Sequence, residues 1–475
     1  MRQWLEGGGA HGLSPARRPG RTGVRRGLRV AQQGALGVLL ACSLPVMAQD
    51  LTLSLQGNYT PERDPDLRGS VAVEFAFNPY AREADGSSHT LDLRLFARAA
   101  EGADAQRQHA DVREFQYLRA WGPYELRFGI GRVYWGVTES AQLVDILNQS
   151  DLLEDVDGED KLGQPLMGFG RRVGPGRLTG FLLPHFRERE FGPVFDELAP
   201  APIVESEARF ENRRGRQHLD LALRYALRLG PLDIGLSHFR GNAREPRLVP
   251  CAAQGSGRVG TEQQANCNID EAFAPPSVGP LAGVLVDTAA LLGVGPSREE
   301  IAQEFIDAAL ADVVLVPFYD DLLQWGLDAQ WIAGPAVWKW EARYREQNAE
   351  SQFAAVAGVE YSLGTFVNNL LDVGVLVEYL YDDRDVEEYF ALFDNDVFFG
   401  IRLLGNDVAG TQVLGGVIYD VERGDRFVSV EASRRLGSRL RLAAEVRGYK
   451  PGEQGAITDF LDDIDQLRLE ISAFF

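Results

Sequence analysis

The chain has 475 residues, 45% hydrophobic and 25% charged, with a formal net charge of −21. So acidic a chain is a poor partner for nucleic acid. Beyond the first fifty positions it has no run of 18 or more apolar residues, which excludes a helical membrane span there. Modest hydropathy fits either a secreted soluble protein or a β-barrel, where only every second residue meets lipid.

At the N-terminus an arginine-rich stretch (Arg17, Arg18, Arg21, Arg25, Arg26, Arg29) leads into an apolar run from Gly34 to Val46. Val46 and Ala48 supply the small residues a signal peptidase reads, so residues 1–48 are expected to be an export signal. Cys42 offers a lipid-attachment alternative, which bulky Leu40 disfavours. Removing 7 basic and 1 acidic residues from 48 and 69 leaves 41 and 68, a mature charge of −27. Nearly all the remaining positive charge is arginine, with lysine only at Lys161, Lys339 and Lys450; the guanidinium is a planar fork suited to carboxylate and phosphate partners. The two cysteines left after export, Cys251 and Cys267, are expected to close a small disulfide loop, with free thiols as the alternative.

Taken in chain order, turn signals bound strands near 51–59, 69–77, 91–99, 112–120, 124–134, 166–173, 177–184, 217–228, 231–240, 322–331, 336–346, 352–362, 370–381, 397–404, 409–420, 425–435, 439–449 and 465–475. Several alternate cleanly, for example Leu219, Leu221, Leu223, Tyr225 and Leu227 against His218, Asp220, Arg224 and Arg228. Such a strand has a wet side and an oily side. The last strand sets Leu467, Leu469, Ile471, Ala473 and the terminal Phe475 on one parity, as the closing strand of an outer-membrane barrel does. Short turns (Gly122-Pro123, Gly174-Pro175-Gly176, Gly230-Pro231, Gly334-Pro335, Gly405-Asn406, Gly437-Ser438) alternate with long connections at 136–165, 185–216, 241–321, 382–396 and 450–464. The expected fold is all-β: residues 49–475 form a transmembrane antiparallel β-barrel of about 18 strands with a large, partly helical extracellular loop at 241–321. Residues 78–90 are long for a periplasmic turn and 204–211 resemble a further strand, which keeps sixteen strands open.

The third external loop, 136–165, follows Tyr134-Trp135-Gly136, is expected to hold a short helix from Ser140 to Leu147, and carries Glu139, Asp151, Glu154, Asp155, Asp157, Glu159 and Asp160. On this pattern the chain resembles a Gram-negative outer-membrane porin. The resemblance implies a third loop folded into the lumen to narrow it, facing a ladder of arginines. The PEFGG-type motif of many general porins is absent. Trp135-Gly136-Val137-Thr138-Glu139 and the Asp-Ile-Leu-Asn-Gln run at 145–149 are similar to segments of uncharacterised proteobacterial outer-membrane proteins. The alternative reading makes Trp135 an interfacial girdle residue and leaves the carboxylates solvated.

Alternation places Arg224, Arg228, Lys339, Arg343, Arg345, Arg439, Arg441, Arg447 and Arg468 toward the lumen, interleaved with Asp220, Glu341, Glu378, Glu431, Glu445 and Glu470. In an open pore such charges form a field that selects ions or polar solutes; in a plugged lumen the same residues form a bonded ladder. In loop 241–321, Ser297 and Glu300 form a capping box for a helix expected from Arg298 to about Val314. The carboxylates of loops 382–396 and 450–464 suit divalent cations shared with lipopolysaccharide phosphates. Asp155, Asp157 and Gly158 lack the spacing of a calcium loop, and no metal or cofactor is expected.

An enzyme needs a nucleophile, a base and an orienting group, yet there is no Gly-x-Ser-x-Gly elbow. His89, His109, His185, His218 and His238 show no catalytic or metal spacing. The leading expectation is a channel for small solutes in the bacterial outer membrane, passive or selective. The competing expectations are a closed barrel acting as a structural or adhesive surface protein, and an uptake channel for hydrophobic molecules. Expected partners are outer-membrane lipid and lipopolysaccharide, the barrel assembly machinery through the strand ending at Phe475, and further copies in a homotrimer.

Overall fold

In the computed structural model, residues 50–475 are described apart from 61–63, 101, 156–157, 193–202, 204–207, 254–264, 267–312, 367–368, 385–392 and 453–464. Eighteen strands make the barrel: β1 Asp50–Thr60, β2 Asp64–Phe77, β3 Ser88–Ala100, β4 His109–Trp121, β5 Tyr124–Gly131, β6 Gln164–Val173, β7 Gly176–Leu183, β8 Asp220–Leu229 and β9 Leu232–Asn242. The second half is β10 Asp321–Ala333, β11 Ala336–Gln347, β12 Glu350–Phe366, β13 Leu371–Asp382, β14 Asn395–Gly405, β15 Gln412–Asp420, β16 Arg426–Leu436, β17 Leu440–Lys450 and β18 Gln466–Phe474. Each pairs antiparallel with its neighbours. The sheet closes through β1 and β18, with Leu53 opposite Ala473 and Leu55 opposite Ile471. Phe475 is stitched in as well, its N–H donating to the Leu51 carbonyl at 2.9 Å. Closure leaves no unpaired edge, which the hydrocarbon core of a membrane demands.

The strand count matches the parity reading segment by segment, and sixteen is ruled out. The surplus at 78–90 is a short hairpin extension, Tyr80–Arg82, paired with the start of β3. The extra strand suspected at 204–211 is Arg209–Phe210, and it belongs to a small sheet outside the barrel. In that sheet Arg247–Ala253 pairs with Val313–Tyr319 and with Ala265–Asn266. Its core is Val249, Cys251, Val314, Val316 and Phe318. The helix expected from Arg298 lies outside the described residues, except that Val313 and Val314 are strand. The export signal and Cys267 also lie outside them.

Four tight turns on the side of both termini share one device. Gly122, Gly174, Gly230 and Gly334 have φ of +52°, +56°, +62° and +61°, and each precedes proline. Gly at the first and Pro at the second central position is the pattern of a II′ hairpin turn, whose twist suits antiparallel strands.

The polarity of the barrel is inverted relative to a soluble protein. On β8 the outward Leu221 and Leu223 are 44% and 47% exposed, while inward Asp220 is 1% exposed. On β11, outward Trp338 and Tyr344 are exposed and inward Glu341, Arg343 and Arg345 are buried. Apolar side chains meeting lipid and polar ones meeting the lumen, with period two, are what an outer-membrane barrel requires.

Candidate functional site

The third external loop, between β5 and β6, folds into the barrel and is fastened to it from several sides. Its base is pinned by Asn148, whose side-chain amide donates to the Gly131 carbonyl at 2.9 Å and the Leu162 carbonyl at 2.8 Å. The same side chain accepts the Val133 N–H at 2.9 Å. These bonds satisfy backbone groups that the strand-to-loop transition would otherwise orphan.

The first half of the loop is held by two wall carboxylates. Glu341 of β11 accepts the N–H groups of Val137 (2.5 Å), Thr138 (2.9 Å) and Val144 (3.2 Å) and the Thr138 hydroxyl (2.7 Å). Glu378 of β13 accepts the N–H of Glu139 at 3.0 Å and of Ser140 at 2.8 Å, plus the Ser140 hydroxyl at 2.6 Å. Hydrogen bonds to an ionised acceptor are the strong ones. Only glycine fits at 136, where φ is +116° and a Cβ would stand 2.8 Å from a Glu341 oxygen. This bonding overturns the helix expected at Ser140–Leu147, which is turn and loop. The Val144 N–H that would close a helical turn is spent on the barrel wall instead.

Apolar contacts complete that half. Val133, Trp135, Val144, Ile146 and Leu147 pack on Leu166, Phe181, Leu183, Ala222, Phe239 and Leu322 of β6–β10. Leu143 packs on Ala354, Val356, Leu376, Leu380, Phe398 and Ile418 of β12–β15. Trp135 is therefore an interior residue, 6.0 Å edge-on from Phe181, and not a girdle residue.

The second half is held by ion pairs on other walls. Arg98 of β3 grips Glu154 with two parallel bonds of 2.7 and 2.6 Å. Its remaining nitrogen donates to Gln56 and Ser70, both at 2.6 Å. Arg107 donates to the carbonyls of Leu153 (2.8 Å) and Glu154 (3.0 Å), and Arg113 of β4 lies 3.5 Å from Asp151. Asp155 is shared by Arg447 of β17 and Arg468 of β18.

The carboxyls divide by their surroundings. Burial pushes Asp145, Asp151 and Asp160 above the usual range. Burial would raise Glu154 and Asp155 too, but arginines outweigh it: Glu154 is lowered, and Asp155 is held at about 2 by Arg468 and Arg447. Asp151, Glu154 and Asp155 are thus buried and engaged rather than solvated. Asp157 lies outside the described residues, and Glu159 is exposed.

The other residues singled out from the sequence fall into three groups. Near the extracellular end, Arg343 bonds Asp382 at 2.6 Å, and Arg345 bonds Gln324 at 2.6 Å and Glu245 at 3.3 Å. On the lumenal side Lys339 lies 3.7 Å from Glu139 and 3.2 Å from Glu360, and Arg402 lies 2.9 and 3.4 Å from the same pair. Glu445 lies beside Arg447 and 3.2 Å from Arg468. At the end bearing the termini, Arg441 donates to Ser433 at 3.0 Å and Glu470 accepts from Ser472 at 2.7 Å, while Arg439 stands in the exposed turn before β17. Toward that end a cavity of about 710 Å³ is lined by Arg172, Arg177, Arg224, Arg228, Asp233 and Asp328.

Arg98, Arg107, Arg113 and Arg402 were not singled out from the sequence. Arg98 was within reach, since Leu91, Leu93 and Leu95 alternate with Asp92 and Arg94 on its strand. No sequence signal marks Arg107, which sits in a short 3₁₀ turn.

Closure, an even strand number, an outward apolar band and termini at one end define a bacterial outer-membrane β-barrel with an inward-folded third loop. No family profile matches the chain, and no curated protein matches it in sequence. Among solved structures, an engineered porin of Rh. blastica is similar at 9% identity, covering 90% of this chain and 100% of that one with a TM-score of 0.38. Salmonella typhi OmpF in complex with daunomycin gives 8%, 90%, 97% and 0.42. Wzi, an Escherichia coli outer-membrane protein involved in group 1 capsule assembly, gives 9%, 93%, 88% and 0.45. At such distances the likeness is one of architecture.

Proposed function

We propose that the protein is an outer-membrane channel for small polar solutes whose passage is narrowed by the third loop. The observation that carries this reading is the loop's fastening to opposed walls of an 18-strand barrel, a size that normally leaves an aqueous passage. Solutes would pass the mixed-charge rim of Glu139, Lys339, Glu360 and Arg402 and the arginine-lined cavity toward the periplasm. Of the predicted pore-lining set, Lys339, Glu445 and Arg468 would act on the permeating solute. Glu341, Arg343, Arg345 and Arg447 would shape the passage by holding loops, with Arg439, Arg441 and Glu470 at its periplasmic end.

A barrel sealed by the loop is a second reading, favoured by the burial of Val144, Ile146 and Leu147 inside the lumen. The two separate in a planar bilayer. The channel reading expects discrete current steps from the refolded protein, with a several-fold larger step for the E341A/E378A variant, which frees the loop. A silent wild type beside a conducting variant supports the sealed barrel, and silence from both overturns passage altogether.

The reading brings the remaining expectations with it. Residues 1–48 would direct export, lipopolysaccharide would surround the outer rim, and the strand ending at Phe475 would engage the assembly machinery. A trimer would be the assembly. A Cys251–Cys267 disulfide would fasten the small sheet through Cys251, a buried member of its core.

A further inference from the structure

The extracellular ends of β14 and β15 gather four carboxylates around one guanidinium. Arg423, in the turn after β15, bonds both oxygens of Asp394 at 2.8 Å, contacts Asp420, and reaches Asp425 at 3.3 Å. Asp396 is left out. It is 1% exposed, and its Oδ2 is buried without a hydrogen-bond partner. It also stands directly across the ladder from Asp420, itself 1% exposed. Like charges opposite one another on neighbouring strands destabilise a sheet, and an ionised carboxylate buried without a partner is costly. The formal charge of the group, four carboxylates against one arginine, is −3.

One oxygen each from Asp394, Asp396 and Asp420 lies within 4.8 Å of the others. Oxygens bound to one Ca²⁺ at about 2.3–2.6 Å can be at most about 4.6–5.2 Å apart, so the three are close enough to converge on one ion with small side-chain adjustment. Asp394 is only partly buried, which leaves a route from the external medium. We propose that Asp394, Asp396 and Asp420 form a binding site for a hard divalent cation, calcium in preference to magnesium, at the outer rim of the barrel. Calcium is preferred because three carboxylates beside a salt-bridged turn form a flexible cage, whereas magnesium demands near-ideal octahedral geometry and sheds water reluctantly. The ion would add a directly bonded positive charge to the longer-range one that Arg423 offers Asp396 and would tie the β14–β15 ends together.

The test is calorimetric titration of CaCl₂ alone into the EDTA-treated, refolded mature protein, repeated with MgCl₂ and with the D396N, D394N and E350Q variants. The expected result is saturable Ca²⁺ binding that weakens at least tenfold in D396N and in D394N, is unchanged in the distant rim control E350Q, and is weaker for Mg²⁺. If D396N does not refold, D394N carries the comparison. No binding by the wild type, with D396N raising thermal stability at neutral pH, would mean that Asp396 holds a proton, and it would overturn the proposal. Equal Ca²⁺ affinity in wild type, D396N and D394N would place the ion elsewhere and overturn it as well.

Discussion

Residues 133–147 and 150–162 of the third loop occupy the same lumen, yet the first stretch is buried against leucine, valine and phenylalanine while the second is buried against arginine. In the first, the wall carboxylates Glu341 and Glu378 are answered by backbone N–H groups and hydroxyls, and the stretch's own Asp145 and Glu139 lie beside Lys161, Lys339 and Arg402. In the second, the loop's own Asp151, Glu154 and Asp155 are answered by guanidinium groups from β3, β4, β17 and β18. Buried polar groups are tolerated when every one is partnered, so a loop can cross a barrel by either route. The routes differ in how they fail: an apolar anchor weakens by the volume removed, whereas an ionic anchor leaves a stranded charge.

The largest effect is expected from breaking the ionic half. R98M leaves the buried Glu154 carboxylate without its fork, and removing one partner of a buried pair costs about 3–5 kcal/mol. Urea unfolding in detergent and protease cleavage of the loop would register it, and R98M/E154Q should recover most of the loss. Breaking the apolar half with L143A is expected to cost about 2–5 kcal/mol, without the rescue by charge neutralisation that marks the ionic half.

Acid sharpens the contrast. Asp155 is held below its unfolded range, so its contribution of about 2–3 kcal/mol is present above about pH 3.9 and is lost as pH falls toward 2. Asp145, Asp151 and Asp160 are raised, so they oppose folding above their pKa and lose that penalty as pH falls. Loop protection against protease should therefore persist from pH 7 to about pH 4 and fail below it; release near pH 6 would contradict the assignment.

E341Q keeps one acceptor oxygen and turns the other end into a donor facing donors. It should cost about 1–3 kcal/mol, the penalty of an unmade buried hydrogen bond, and raise the conductance less than E341A/E378A. R228A removes an exposed pair with Asp233 and should leave unfolding unchanged within error, moving only the reversal potential in a salt gradient.

The strands were legible because a barrel wall repeats one rule: lipid outside and polar lumen inside force period two, and Leu221, Leu223 against Asp220, Arg224 obey it locally. The acidic third loop was legible as a cluster, and its arginine partners Arg447 and Arg468 were legible as inward residues. That these particular groups meet was not, because Arg468 and Asp155 lie 313 positions apart. The helix expected at Ser140–Leu147 failed for the same reason, since Glu341 captures the Val144 N–H from 197 positions away.

The sequence by itself determined the all-β class, the position of most strands, the inward or outward sense of the cleanly alternating residues and the placement of most long and short connections, because each is set by near neighbours in the chain; it left eighteen and sixteen strands both open. The tertiary structure alone decided that the third loop spans the lumen, which arginine holds which carboxylate, and that the buried Asp396 Oδ2 has no hydrogen-bond partner. Those follow from closure of the sheet, which brings distant strands to one interior where unpaired charge is expensive.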